Sequence, residues 1–233
     1  MKAGGAGMTK AQRLAKAQTS PTPDKRTQSW TQDPEGVRRS ILEAARAEFV
    51  EHGLRGARVD EIAAKTATSK RMIYYYFGDK EGLYRAVLEA MYDRIRSFER
   101  SLDLSALPPQ EAMGKLAGFT FDYHAQNPDF VRMVMIENIH HARHLASSDK
   151  IAGLNLSILS VIREVYDRGV AAGLFRPGIE PLDIHLTISA LSFYNVSNRA
   201  SIGQVFGHDM GAPEIEGQRR QMVIDIVLRM LRP

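Results

Sequence analysis

Residues 59–83 read VDEIAAKTATSKRMIYYYFGDKEGL, and this stretch decides the fold class. Val59 to Lys65 is a short helical segment that turns Ile62 and Ala63 inward. Thr66-Ala67-Thr68 makes a turn. Ser69 then stands where a hydroxyl caps the next helix, about residues 70–76, and Gly78-Asp79 breaks the chain again. Upstream, Ile41, Leu42, Ala45, Phe49 and Val50 recur at helical spacing, and Gly53 stops that helix. Three short helices with a tight turn between the second and third form a helix-turn-helix reading head for DNA. The residue sizes fit that geometry. Ala63 is small where two helices cross, and Ile62 and Ile73 fill the wedge between them.

Downstream the helical pattern continues. A long helix is predicted from Lys80 to about Leu102, with Leu83, Val87, Met91, Ile95 and Phe98 on one stripe. Further helices are predicted from Pro108-Pro109 to Asn127, from Asp129 to about Leu145, and from Asp149 to Ala172, ending at Gly173. The last two are expected at about 181–201 and 214–231, with a Gly-rich loop, 203–213, between them. No period-2 run bounded by turns occurs, so the class is all-α with about nine helices. Residues 1–36 are poor in large apolar side chains, and Pro21, Pro23 and Pro34 argue against a continuous helix. They read as a disordered basic arm anchored only by Trp30, followed by a head at 37–84 and a larger helical domain at 85–233.

Composition narrows the function. The 233 residues contain no cysteine, which excludes disulfide scaffolds and thiol chemistry and fits a reducing cytoplasm. No apolar run approaches the roughly 18 residues of a membrane span. The start of the chain, basic and without an apolar core, is unlike a secretory signal. The net charge of +4 is uneven: six Lys/Arg face three acids in residues 1–36, nine face six in 37–80, and 16 face 18 thereafter. A basic front suits a polyanionic partner.

The pattern Ile41-Leu42-Glu43-Ala44-Ala45, Phe49, Gly53, Val59, Ile62-Ala63, Ser69, Ile73-Tyr74-Tyr75-Tyr76-Phe77 and Lys80-Glu81-Gly82-Leu83 closely resembles the TetR/AcrR family of bacterial transcription regulators. The resemblance implies a homodimer on double-stranded operator DNA. Lys70, Arg71 and Met72, at the exposed start of the recognition helix, are its candidates for base edges. Tyr75 and Tyr76 are expected at phosphate or base. Ser69, Arg58 and Lys80 are expected at phosphates, which position the protein without specifying sequence. Ile73, Phe77 and Tyr74 are expected in the core of the head. Two departures from the family stand out: Ala67 replaces the usual turn glycine, and Ala57-Arg58 lacks the usual Ser or Thr cap before the second helix.

The remainder is expected to sense a small molecule and to pair two subunits. The helices at about 181–201 and 214–231 are the expected dimer surface, and Ile184, Ile188, Leu191, Val196, Met222, Ile226, Leu228 and Met230 supply apolar surface for both the core and that interface. Phe119, Tyr123, Phe130, Met133, Val134, Glu137, Tyr166, Phe175 and Phe193 are candidate pocket residues. Glu137, His140, His141 and His144 recur at i, i+3, i+4 and i+7, so on a helix they share a face able to hold a transition metal, with His124 or His185 completing the shell. The alternative is a solvated polar face near a helix end. The function expected is a ligand-responsive repressor, with no required cofactor and an unidentified small-molecule effector. Alternatives are an architectural or activating DNA binder without an inducer, and a metal-dependent all-α enzyme. No nucleophile elbow, phosphate loop or zinc-protease helix supports the enzyme.

Overall fold

The computed structural model describes residues 33–233. The expected arm therefore lies outside the described residues, apart from its last few. Ten helices follow in order: α1 (Pro34–Gly56), α2 (Val59–Lys65), α3 (Lys70–Phe77), α4 (Lys80–Arg100), α5 (Pro109–Gln126), α6 (Pro128–Ile139), α7 (Asp149–Ala171), α8 (Pro181–Ser197), α9 (Arg199–Phe206) and α10 (Pro213–Leu231). No strand occurs among the described residues.

Local chemistry sets most of the boundaries. Proline opens α5, α6, α8 and α10, where its fixed φ suits the first turn and its missing N–H costs nothing. Ser69, Asp79 and Ser148 cap α3, α4 and α7 by accepting the N–H of Met72, Gly82 and Ile151. Gly53 has φ 62° and ψ 177°, so the helical path of α1 breaks there and resumes for one further turn. A glycine tolerates that positive φ without a Cβ clash. Gly82 is required for a different reason: a Cβ there would fall on the carbonyl oxygen of Phe77.

Four expectations need correction. The boundary between arm and head, expected after residue 36, lies earlier: Pro34 is the first residue of α1, a position proline tolerates. The helix predicted from 129 to 145 stops at Ile139, because His141 and Ala142 take φ values of 60° and 53° and turn the chain. The helix predicted to 201 stops at Ser197. A separate short helix, α9, then occupies part of the expected Gly-rich loop.

Two apolar clusters form the core. One gathers Ile41 and Phe49 of α1, Ile62 of α2, Ile73 of α3, Leu83 to Ile95 of α4, and Phe130 and Met133 of α6. The other gathers Met113 and Leu116 of α5, Ile158 and Ile162 of α7, Ile184 and Ile188 of α8, and Val227 and Leu231 of α10. The stripe predicted on α4 is buried at Leu83, Val87, Met91 and Ile95, but Phe98 is exposed, with the Arg94 guanidinium 6.0 Å from its ring centroid. The first cluster crosses residue 84 without interruption, so the head and the base of the body share one packed interior. No described helix is long and apolar enough to cross a membrane.

Candidate nucleic-acid interface and internal cavity

The reading head is held by a buried acid. Glu48 of α1 is 3% exposed. Its Oε1 accepts the Arg58 N–H at 3.2 Å and its Oε2 accepts Lys65 Nζ at 2.9 Å. Burial works to raise its pKa, but the hydrogen bonds from Lys65 and the Arg58 backbone prevail and hold it below the usual carboxylate value. This contact explains the missing cap. Arg58 occupies the N-cap of α2 and makes no side-chain cap bond. The carboxylate reaches over from α1 to take an N–H at that end and a lysine at the other. Ala67, the second departure, is not among the residues of positive φ, so the turn demands no glycine.

Ser69 Oγ accepts the Met72 N–H at 3.3 Å, which leaves its own proton for an acceptor outside the head. Arg71 is exposed, and Met72, Tyr74 and Tyr75 are exposed as well. Tyr74 was expected in the core and is a correction: it lies 39% exposed, with Ile73 buried beside it. An eight-residue helix has one inward stripe, and Ile73 and Phe77, four apart, fill it. Tyr76 is half-buried and packs edge-on against Tyr75 at 5.5 Å. Lys70 Nζ bonds Asp60 Oδ2 at 3.0 Å across the turn, and that bond raises its pKa. Lys80 Nζ donates to the carbonyls of Arg55 and Ala57 at 3.3 and 3.0 Å. It thus ties the end of α1 to α4, with one ammonium hydrogen left over. Arg58 is exposed and lies 3.7 Å from Glu61. Of the candidate DNA residues, Arg58, Ser69, Lys70, Arg71, Met72 and Tyr75 are exposed, and Tyr76 and Lys80 are partly so.

The body holds a half-open cavity of about 320 Å³. Tyr92, Ile95, Arg96 and Glu99 of α4, Thr120 and His124 of α5, Phe130 and Val134 of α6, Asn155 and Leu159 of α7, and Leu182, His185, Ser189 and Phe193 of α8 line it. Arg96 and Glu99 are 5% and 4% exposed and form an ion pair, Nη1 lying 2.7 Å from Oε1. Arg96 Nη2 reaches Asn155 Oδ1 at 3.1 Å. Burial raises the Glu99 carboxyl despite Arg96. Burial and the nearby Arg96 charge lower both His124 and His185 to about 4, so both imidazoles are neutral at pH 7. His124 stacks on Phe130 with centroids 5.9 Å apart and meets Phe193 edge-on.

Of the nine candidate pocket residues, Phe130, Val134 and Phe193 line this cavity. Phe119 and Tyr123 line an outer crevice with Arg94 and Phe98. Met133 is fully buried in the first core cluster. Tyr166 and Phe175 stack in the second, 6.4 Å apart, and the Tyr166 hydroxyl donates to the Arg176 carbonyl. Glu137 lies outside the cavity. Its carboxylate bonds His144 Nδ1 at 2.9 Å and accepts the His144 N–H at 3.2 Å.

The proposed metal face is corrected by the same turn that ends α6. His140 and His141 are exposed while Glu137 and His144 are buried. Among the described residues no group of three or more histidines and acids is arranged to hold a metal ion. His124 and His185 belong to the cavity instead. The polar members of the cavity, Arg96, Glu99, Asn155, Thr120 and Ser189, were missed. A signal existed: Tyr92, Ile95, Arg96 and Glu99 stand three and four apart, so charges occupy an inward face of α4.

A three-helix reading head that shares its core with a helical body holding a half-open cavity matches the architecture of helix-turn-helix transcription regulators. Comparison with known proteins agrees. Residues 41–87 match the model of the bacterial regulatory proteins of the tetR family, and residues 109–227 match that of the tetracyclin repressor-like C-terminal domain. The chain is 32% identical over 201 residues to the HTH-type transcriptional repressor NicS of Pseudomonas putida, an alignment covering 86% of this chain and 95% of that one. It is 37% identical over 112 residues to the HTH-type transcriptional repressor SCO4008 of Streptomyces coelicolor, covering 47% of this chain and 53% of the relative. The structure of SCO4942 from Streptomyces coelicolor superposes with a TM-score of 0.62 at 28% identity, over 84% of this chain and 99% of that one. This chain belongs to the TetR family of bacterial transcription regulators.

Proposed function

We propose that the protein is a cytoplasmic repressor that binds a two-fold operator as a homodimer and is released by a small molecule seated in the cavity. One observation carries this reading. Helix α4 belongs to both sites: Leu83 packs in the core of the head, and Ile95, Arg96 and Glu99 line the cavity. A ligand that prefers one tilt of α4 shifts the population of head positions by its differential affinity. Dimerisation supplies the second head, since one recognition helix reads only a few base pairs. The exposed apolar residues Leu182, Leu186 and Tyr194 of α8, with Met222 and Ile226 of α10, offer the pairing surface. Ile184 and Ile188, expected to serve both core and interface, are buried in the core of the subunit.

The test is a fluorescence anisotropy titration on the intergenic DNA upstream of the protein's own gene, with and without compounds that raise its melting temperature. A palindromic site bound in the absence of compound and weakened by one of them is the expected result. By linkage, operator DNA must weaken that compound's binding by the same factor, about 5- to 150-fold for typical couplings. Equal compound affinity for free and operator-bound protein would leave a DNA binder with an uncoupled cavity.

A further inference from the structure

The missing wall of the cavity deepens the proposed function and rests on its homodimer. We propose that a second copy of this chain completes the cavity, closing its open side over a rim of exposed leucines on α7 and α8. The burial of the lining residues locates that side. Those of α4 and α5 are all buried: Tyr92, Ile95, Arg96, Glu99, Thr120 and His124. Those of α7 and α8 are all half-buried or exposed: Asn155, Leu159, Leu182, His185, Ser189 and Phe193. The mouth therefore runs along α7 and α8.

Both lips of the mouth carry large apolar side chains in water. On α8, residues 185, 189 and 193 form a row along the cavity. Residues 182, 186, 190 and 194 form the next row, about 60° further round the helix. Leu182, Leu186, Ala190 and Tyr194 of that second row are all exposed, and Leu182, 49% exposed, also lines the cavity. On α7, Leu156 is 65% exposed. It follows Asn155 and stands three residues before Leu159, so it is their surface neighbour on the other lip.

Continuity decides what covers this rim. The exposed row of α8 is the α8 half of the pairing surface. The row beyond it, 183, 187 and 191, turns to α10, where Thr187 Oγ1 lies 3.6 Å from Met230 Sδ. Cavity mouth, pairing row and α10 thus follow one another round α8. A subunit seated on α8 and on Met222 and Ile226 of α10 borders the mouth along the row from Leu182 to Tyr194. Contiguous apolar surface of this kind marks a contact site, and a two-fold pair covers both copies of it at once. A ligand in the cavity then lies beside the contact that spaces the two heads. Ligand binding and dimerisation become linked, each changing the other by the same factor.

The test needs no ligand. The chain has no cysteine, so Ser189→Cys places a single thiol in the half-buried row of the mouth. Its alkylation by N-ethylmaleimide is timed in the full chain over a dilution series, with monomer and dimer fractions read by sedimentation. Where dilution leaves no monomer, Leu186→Glu in the same background supplies one. Ala47→Cys, exposed on α1, is the control. The Ser189→Cys thiol should react at least about tenfold more slowly in the dimer than in the monomer, with the control rate unchanged, because thiol reactivity follows access. Leu156→Glu gives a second reading, on α7 and outside the α8–α10 surface. An exposed leucine tolerates the change within the subunit, so melting of the monomer should hold while the dimer dissociation constant rises about tenfold or more. A dimer whose Ser189→Cys thiol reacts as fast as the monomer's, or a Leu156→Glu dimer of unchanged strength, overturns the completed cavity and leaves the repressor reading standing. A chain that stays monomeric at every concentration and on operator DNA sinks the homodimer itself, and this inference with it.

Discussion

Replacing Glu48 by alanine removes a side chain that braces both ends of α2. The loss can be built up from its two bonds. The Arg58 N–H is a helix N-terminal donor, and losing such a cap costs about 0.5–2 kcal/mol. Arg58 itself is exposed, so water partly replaces the carboxylate and the lower half of that range applies. The Lys65 partner is half exposed, which limits its pair to about 0.2–1 kcal/mol. Together the expected cost is about 1–2 kcal/mol, or roughly 2–8 °C in melting temperature for a chain of this size. Glu48→Gln keeps an acceptor for the N–H and should lose less. The pH dependence has a definite sign. The folded pKa of Glu48 is depressed, so its stabilisation is fully present above the unfolded value of about 4.5 and is lost as pH falls through the folded one. Urea unfolding of wild type and Glu48→Ala at a series of pH values from 7 downward should therefore show a gap that closes in acid. Operator affinity should fall with the alanine, because α2 sets the approach of α3. A variant within about 0.5 kcal/mol of wild type at pH 7, the scatter of an ordinary surface substitution, would refute the bracing role, as would a gap that widens in acid.

Arg71→Ala should leave the melting temperature unchanged and relax operator specificity at one position by about 1–3 kcal/mol if the guanidinium meets a guanine edge, checked by anisotropy on single-base operator variants. Lys80→Ala should lower both stability and DNA affinity, because its ammonium bonds two carbonyls at the end of α1; unchanged unfolding of that variant would contradict the tie. Since His124 and His185 are held neutral down to about 4 while unfolded histidine titrates near 6.5, stability should fall as pH drops from about 6.5 to 4. His124→Phe should make that slope shallower, read by thermal melts across the window. Leu186→Glu, on the exposed side of α8, should shift the protein to a monomer in sedimentation and weaken operator binding, whereas an intact dimer would move the interface elsewhere.

The reading head was legible because each of its positions has a local cause. Ser69 caps, Gly82 clears a carbonyl, and Ile62 and Ile73 are the inward residues of short helices, so spacing alone identifies them. Tyr74 was misplaced because three tyrosines in a row offer three faces, and only the packing of Phe77 decides which one turns inward. The cavity was less legible. Aromatic residues were the obvious candidates, yet Tyr166 and Phe175 fill one another's space against Gly169, and Met133 closes a core. Aromatic side chains mark burial before they mark a pocket. Arg96 and Glu99 look like a solvated i, i+3 pair in the sequence, and only the surrounding helices remove them from water. The histidine run failed because helical spacing was carried two residues past the turn at His141 and Ala142.

The route from cavity to DNA follows from the stiffness of α4. Twelve residues separate Leu83 from Ile95, about 18 Å along a helix. Both residues are buried in close-packed surroundings, which favours a displacement of the helix as a whole over local bending. A tilt of about 5° about the cavity end carries the head end by roughly 1.5 Å, since a rise of 1.5 Å per residue sets the lever length. That exceeds the few tenths of an ångström over which a hydrogen bond to a base edge keeps its strength. In a two-fold pair the displacements of the two heads add. Glu89 of α4 accepts the Ser148 hydroxyl at 2.7 Å, and Arg96 holds Asn155 of α7, so α4 is pinned to α7 at two levels. Of these two pins, the one at Arg96 lies in the cavity. A ligand that displaced Asn155 from Arg96 would loosen that pin and leave the other as a pivot.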